Sequence, residues 1–169
     1  MRQRRLSGFC ETDHSTHESH IIQLPADVAT AMKILIVEDE KISQKKMEII
    51  MSKYGCCSLV ANGAIAVGMF QQAWKEKAPF DIITLDITLH EMSGTEVLMQ
   101  IRELEDTMKI PAPQKARVIM VTSHTDRDNI NACITAGAND YLVKPFSDVT
   151  ISKCLRRLFI KHIQETFPE

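Results

Sequence analysis

From Met32 onward the chain alternates between short unbroken apolar runs and longer stretches whose apolar residues recur every three or four positions. Ile34 to Val37 is a continuous apolar run, as expected of a strand covered on both faces. Lys41 to Tyr54 sets Ile42, Met47, Ile49, Ile50 and Tyr54 against a charged side and ends at Gly55, which predicts a helix. Cys57 to Val60 reads as a short strand. Beyond Asn62 and Gly63 a helix is predicted to about Lys77, with Ile65, Met69, Phe70 and Trp74 on one stripe and Pro79 as its stop. Phe80 to Leu85 is a third strand, Gly94 to Leu104 a third helix, and the segment with Pro111 and Pro113 a loop. Arg117 to Val121 is a fourth strand, followed by a helix from Asp126 to Ala136 that Gly137 closes. Tyr141 to Val143 makes a fifth strand, and Ser147 is placed to cap a last helix reaching about Thr166.

Strict alternation of buried strands and amphipathic helices implies an α/β fold, a parallel sheet with helices on both faces. Residues 1–31 break the pattern, because Met1 to Ile21 has few apolar positions and no steady period. Two units are therefore expected, a flexible polar tail over 1–31 and one domain over 32–169. Met32 would itself make a natural translation start, so the tail is read as an upstream extension without a folding role.

Composition narrows the classes. An apolar share of 44% and a charged share of 25% describe an ordinary globular chain. The formal net charge of -2 supplies no general attraction to nucleic acid or anionic lipid. No apolar run reaches the roughly 18 residues of a membrane span. The basic start Met1 to Arg5 is followed by no apolar stretch, so a cytoplasmic location is expected. Five cysteines without a C-x-x-C pair read as reduced, mostly core-packing thiols, with Cys56 and Cys57 on opposite faces of a strand. His14, His17 and His20 could meet a transition metal but read as solvated residues. The basic side of the last helix (Lys153, Arg156, Arg157, Lys161) reads as a solvated face, and Met92, Met99 and Met108 as core or loop filler.

Open parallel sheets build their sites at the carboxyl ends of strands. Glu38 and Asp39 follow the first strand, Asp86 the third, Thr122 the fourth and Lys144 the fifth. Three clustered carboxylates repel one another unless a cation joins them. Mg²⁺ suits all-oxygen ligands and phosphoryl groups, while lysine and hydroxyl donors offset the charge on phosphoryl oxygens. One carboxylate can then act as nucleophile, and Asp86, on the central strand, is the candidate.

Together Val37-Glu38-Asp39-Glu40, Leu85-Asp86, Met92-Ser93-Gly94, Val121-Thr122, Gly137-Ala138, Asp140-Tyr141 and Lys144-Pro145-Phe146 resemble the receiver domain of two-component response regulators, over about residues 33–164. The resemblance implies a doubly wound, flavodoxin-like five-stranded sheet in the order 2-1-3-4-5, with Asp86 as phosphoacceptor. It implies Mg²⁺, with Mn²⁺ as substitute, held by Asp39, Asp86 and the Thr88 carbonyl, and by Glu38 through water. Thr122 and Lys144 correspond to the switch hydroxyl and the phosphoryl-binding lysine, Tyr141 to the aromatic that turns inward, and Lys144-Pro145 to a cis peptide. Thr88 and His124 occupy the positions that tune water access to the phosphoryl group. His90 departs from the pattern, standing where the family usually has proline. The implied partners are a sensor histidine kinase or histidine phosphotransfer protein and an unidentified downstream protein. Homodimerisation through the face of the fourth helix, fifth strand and fifth helix is a further expectation. No enzyme activity is expected beyond self-catalysed phosphorylation and dephosphorylation. A Mg²⁺-dependent phosphatase of the haloacid-dehalogenase type is the alternative, although it requires a second Asp where Thr88 stands. An FMN carrier would need a glycine- and hydroxyl-rich loop where Glu38-Asp39-Glu40 stands.

Overall fold

A computed structural model describes residues 32–123 and 127–166, so the expected tail with its histidines, and His124, lie outside the described residues. Five parallel strands form one sheet: β1 (Lys33–Val37), β2 (Cys56–Val60), β3 (Ile82–Asp86), β4 (Arg117–Thr122) and β5 (Asp140–Val143). Their order is β2-β1-β3-β4-β5, as the resemblance implies. The helices are α1 (Lys41–Met51), α2 (Gly63–Lys75), α3 (Gly94–Thr107), α4 (Arg127–Thr135) and α5 (Asp148–Thr166).

The two-residue period of the strands divides the core into two layers. Leu35, Val37, Ile83, Leu85, Val118 and Met120 face Phe70 of α2 and Val97, Leu98 and Ile101 of α3. Ile34, Ile36, Ile82, Ile119 and Val121 face Met47, Ile50 and Met51 of α1 and Ile151, Leu155 and Leu158 of α5. Burial on both sides is why these strands read as unbroken apolar runs.

Several boundaries and faces differ from the sequence reading. β3 starts at Ile82 rather than Phe80, because the Asp81 carboxylate accepts the Lys33 N–H at 2.7 Å and turns the chain there. It also runs one residue further, placing Asp86 inside the ladder opposite Val121. α1 ends at Met51, and its buried stripe is Met47, Ile50 and Met51, whereas Ile42 and Ile49 face solvent. In α2 the core side carries Ala66, Phe70 and Ala73, and Ile65 is exposed. Ser147 does meet the start of α5: its hydroxyl accepts the Thr150 N–H at 3.3 Å, and the Thr150 hydroxyl accepts the Ser147 N–H at 2.8 Å. Cys133 and Cys154 are buried as expected, but Cys56 is exposed on the edge strand. Met99 and Met108 are exposed rather than packed. Among the described residues no helix is long and apolar enough to cross a membrane.

Candidate functional site

The topology gathers the chemistry. In the order β2-β1-β3-β4-β5 the chain reverses direction across the sheet between β1 and β3, and a crevice opens at their carboxyl ends. Glu38 and Asp39 leave β1 there, and Asp86 closes β3 beside them. The Glu38 N–H donates to the Val60 carbonyl at 3.1 Å, which carries the β1 ladder one residue past its last strand position. Gln44 of α1 donates its side-chain amide to the Glu38 carbonyl at 2.8 Å. On the other side, the Lys144 N–H donates to the Thr122 carbonyl at 2.7 Å and aims the lysine back across β4.

The side chains converge accordingly. Glu38, Asp39 and Asp86 each bring a carboxylate oxygen within 4.8 Å of the others. The Lys144 ammonium lies 2.6 Å from Glu38 Oε2 and 2.6 Å from Asp86 Oδ2. Glu38 and Asp86 are only 4% and 6% exposed, so these charges interact in a medium far less screening than water. Burial pushes the Glu38 carboxyl up to about 7; the Asp86 carboxylate adds to this, and the Lys144 bond opposes it. Burial alone would lower Lys144, but its hydrogen bonds to Asp86 and Glu38 outweigh that and hold it above the ordinary lysine value. With all three carboxylates ionised, their charge against one ammonium leaves two negative charges, the balance a divalent cation would neutralise. The donors are all oxygen, which fits Mg²⁺.

The loop after β3 is fixed by close approach. A Cβ on Gly94 would lie 2.0 Å from the Asp86 carbonyl oxygen, so only glycine admits the turn that brings α3 back under the strand end. The Gly94 N–H donates to the Ile87 carbonyl at 2.9 Å, and Ser93 and Glu96 form a reciprocal cap on α3. The Thr88 N–H donates to Asp86 Oδ1 at 3.1 Å. His90 supplies what a proline could not: its backbone N–H donates to Asp39 Oδ2 at 3.0 Å, and its ring Nδ1 meets the same oxygen.

Of the other residues singled out in the sequence, Thr122 is buried at the end of β4, and Tyr141 is 38% exposed on β5. Lys144-Pro145 is cis, as the resemblance implies. Two networks were missed. Arg102 of α3 donates to Glu105, to the Ala116 and Gly137 carbonyls and to Asn139, around a Glu105 that is wholly buried. Asp140, buried at the start of β5, accepts from Arg157 Nε at 2.8 Å and from its neighbour's N–H at 2.8 Å. Arg102 and Glu105 are one helical turn apart, a spacing the sequence does display, but nothing in it reveals that both lie under a loop.

A doubly wound sheet with an acidic cluster and a lysine at the switch point defines the receiver architecture. The comparisons agree: a family model described as response regulator receiver domain matches residues 34–156, and the chain belongs to that family. It is 34% identical over 118 residues to the chemotaxis protein CheY of Bacillus subtilis, covering 69% of this chain and 88% of that protein. Against the response regulator mcs4 of Schizosaccharomyces pombe it is 33% identical over 146 residues, 75% of this chain but 27% of that much longer protein. Among solved structures it resembles the receiver domain of a sensor histidine kinase from Pseudomonas aeruginosa, with TM-score 0.60 and 29% identity. That match covers 75% of this chain and 96% of the other, whose active site cleft holds a coordinated magnesium ion.

Proposed function

We propose that this receiver accepts a phosphoryl group on Asp86 from a histidine kinase or a histidine phosphotransfer protein, in a reaction that requires Mg²⁺. One observation carries the reading: the Asp86 carboxylate sits 2.6 Å from the Lys144 ammonium in a pocket where three carboxylates have oxygens within 4.8 Å of one another. An Asp86 carboxylate oxygen attacks phosphorus, a new P–O bond forms, and the P–N bond to the donor imidazole breaks, with the electron pair leaving on the imidazole. Asp39, Asp86 and the Thr88 carbonyl would hold Mg²⁺ directly and Glu38 through water, with Mn²⁺ as a substitute. The cation would neutralise phosphoryl oxygens and allow the carboxylates to stay ionised side by side. Lys144 then moves from its carboxylate partners toward a phosphoryl oxygen. Thr122 donates its hydroxyl to another, and the space it leaves admits the Tyr141 ring. Thr88, two positions after Asp86, would tune how readily water reaches the phosphoryl group, and the same role is proposed for His124 from its position two residues after Thr122 in the sequence alone.

The signal is a change in the surface of α4, β5 and α5, read by a downstream protein or by a second copy of the chain in the cytoplasm. A phosphatase of the haloacid-dehalogenase type is less well supported, because Thr88, two positions after Asp86, carries no second carboxylate.

Incubation with Mg²⁺ and acetyl phosphate, read by intact mass, tests the proposal. The expected result is an adduct of one phosphoryl group, about 80 Da, lost in Asp86→Asn and when the metal is chelated. An adduct that persists in Asp86→Asn, or a wild-type chain that never gains one, would sink it.

A further inference from the structure

A groove of about 670 Å³ lies at the amino ends of β1, β3 and β4, the opposite end of the sheet from Asp86. Met32 precedes β1, and Ile82 and Arg117 open β3 and β4, so three strand starts contribute to it. Its lining is mostly apolar and carries several flat faces. Trp74 and Pro79 come from the end of α2 and the turn after it, Pro113 from the segment before β4, and Phe159 from α5. Faces of this kind receive planar rings by offset stacking. The charged part of the lining is one-sided: Lys77, Lys115 and Arg117 stand against one carboxylate, Asp81. That carboxylate already accepts the Lys33 N–H at 2.7 Å. Lys115 is held by Asp106 at 2.6 Å, whereas Lys77 makes no ion pair among the described residues. The volume is that of a small-molecule site, and a few convergent charges in an apolar cleft fix the orientation of such a ligand. A flat apolar body bearing one negative charge complements this lining, and a cation does not.

We propose that the groove binds an aromatic carboxylate, with its rings against Trp74, Pro79, Pro113 and Phe159 and its carboxylate at Lys77. The site shares no residue with the phosphoryl pocket, so it stands independently of phosphorylation at Asp86.

Naphthalene-2-carboxylate is the probe, titrated into the full-length chain and followed by NMR. Trp74 is the chain's one tryptophan, so a spectrum of N–H groups contains one indole peak. Its Nε1–H is enclosed without a hydrogen-bond partner among the described residues, and the peak reports on what packs beside the ring. The peak should shift saturably with the carboxylate. Naphthalene-2-carboxamide, of the same shape, should bind at least about fivefold more weakly, and 2-naphthylmethylammonium more weakly still. Added salt should narrow these differences. Lys77→Gly separates charge from fold, because Lys77 has φ 57°, a backbone conformation that glycine adopts without strain. This variant should melt no lower than the wild type, bind the carboxylate at least about fivefold more weakly, and bind the amide as before. Asp86→Asn should bind the probe like the wild type, which keeps this test apart from that of phosphorylation. Equal affinity for the carboxylate and the ammonium, or for naphthalene-2-carboxylate and octanoate, would overturn the proposal. So would an indole peak that does not move at millimolar probe, or an affinity unchanged in Lys77→Gly.

Discussion

At the residue scale, Glu38 links the pocket to pH. Its ordinary value is 4.5, but burial holds it at about 7 in the fold, so between those values the folded state keeps a proton that the unfolded chain has released. Its contribution to stability is fully present below 4.5 and is lost as pH rises through 7. In metal-free buffer the melting temperature should therefore fall from pH 5 to pH 7.5, and Glu38→Gln should flatten that slope. Mg²⁺ should flatten it too, by supplying the positive charge that the ionised carboxylates lack. A slope unchanged by Glu38→Gln in differential scanning calorimetry would show that other groups set it. His90 illustrates a different residue-scale effect. The sequence marked it only as a missing proline, while in three dimensions its N–H and ring both engage Asp39.

At the element scale, the turn from β3 into α3 and the anchoring of α3 decide how firmly the pocket is held. Gly94→Ala puts a methyl group against the Asp86 carbonyl, and this neighbour is backbone that cannot rotate away. The expected loss is about 1–3 kcal/mol in urea unfolding. Phosphorylation by acetyl phosphate should slow as well, because the atom displaced belongs to the proposed acceptor. Arg102→Ala should cost more, about 3–5 kcal/mol, since it leaves the wholly buried Glu105 as an unpaired charge. Arg102→Met/Glu105→Gln should recover part of that loss, because glutamine removes the charge and still accepts the Ala116 N–H that Glu105 accepts at 2.8 Å. If the double change is as damaging as the single one, the network acts through packing rather than charge.

At the scale of the whole molecule, the proposed switch has a measurable surface. The chain has two tyrosines, of which Tyr54 is 7% exposed and Tyr141 is 38% exposed. Phosphorylation should bury Tyr141 and slow its nitration while leaving Tyr54 unreactive. Equal Tyr141 reactivity with and without acetyl phosphate would remove the coupling between Thr122 and β5.

The alternating pattern was enough to specify five strands, five helices and a two-sided parallel sheet, because the three central strands carry their burial in their own residues. It was also enough to nominate the site: strand ends are local, and the polar residue after each apolar run is visible in one dimension. Helix faces were less legible. Ile42, Ile49 and Ile65 look like core residues in the sequence, but a helix packs one stripe, and only its angle against the sheet selects which. The distances also had to come from tertiary structure. Asp39 meets His90 and Lys144 bridges Glu38 and Asp86 only because parallel β1, β3 and β5 end at one edge. Buried networks such as Arg102 with Glu105 were equally out of reach, since charge pairing depends on which loops fold over a residue rather than on its neighbours along the chain.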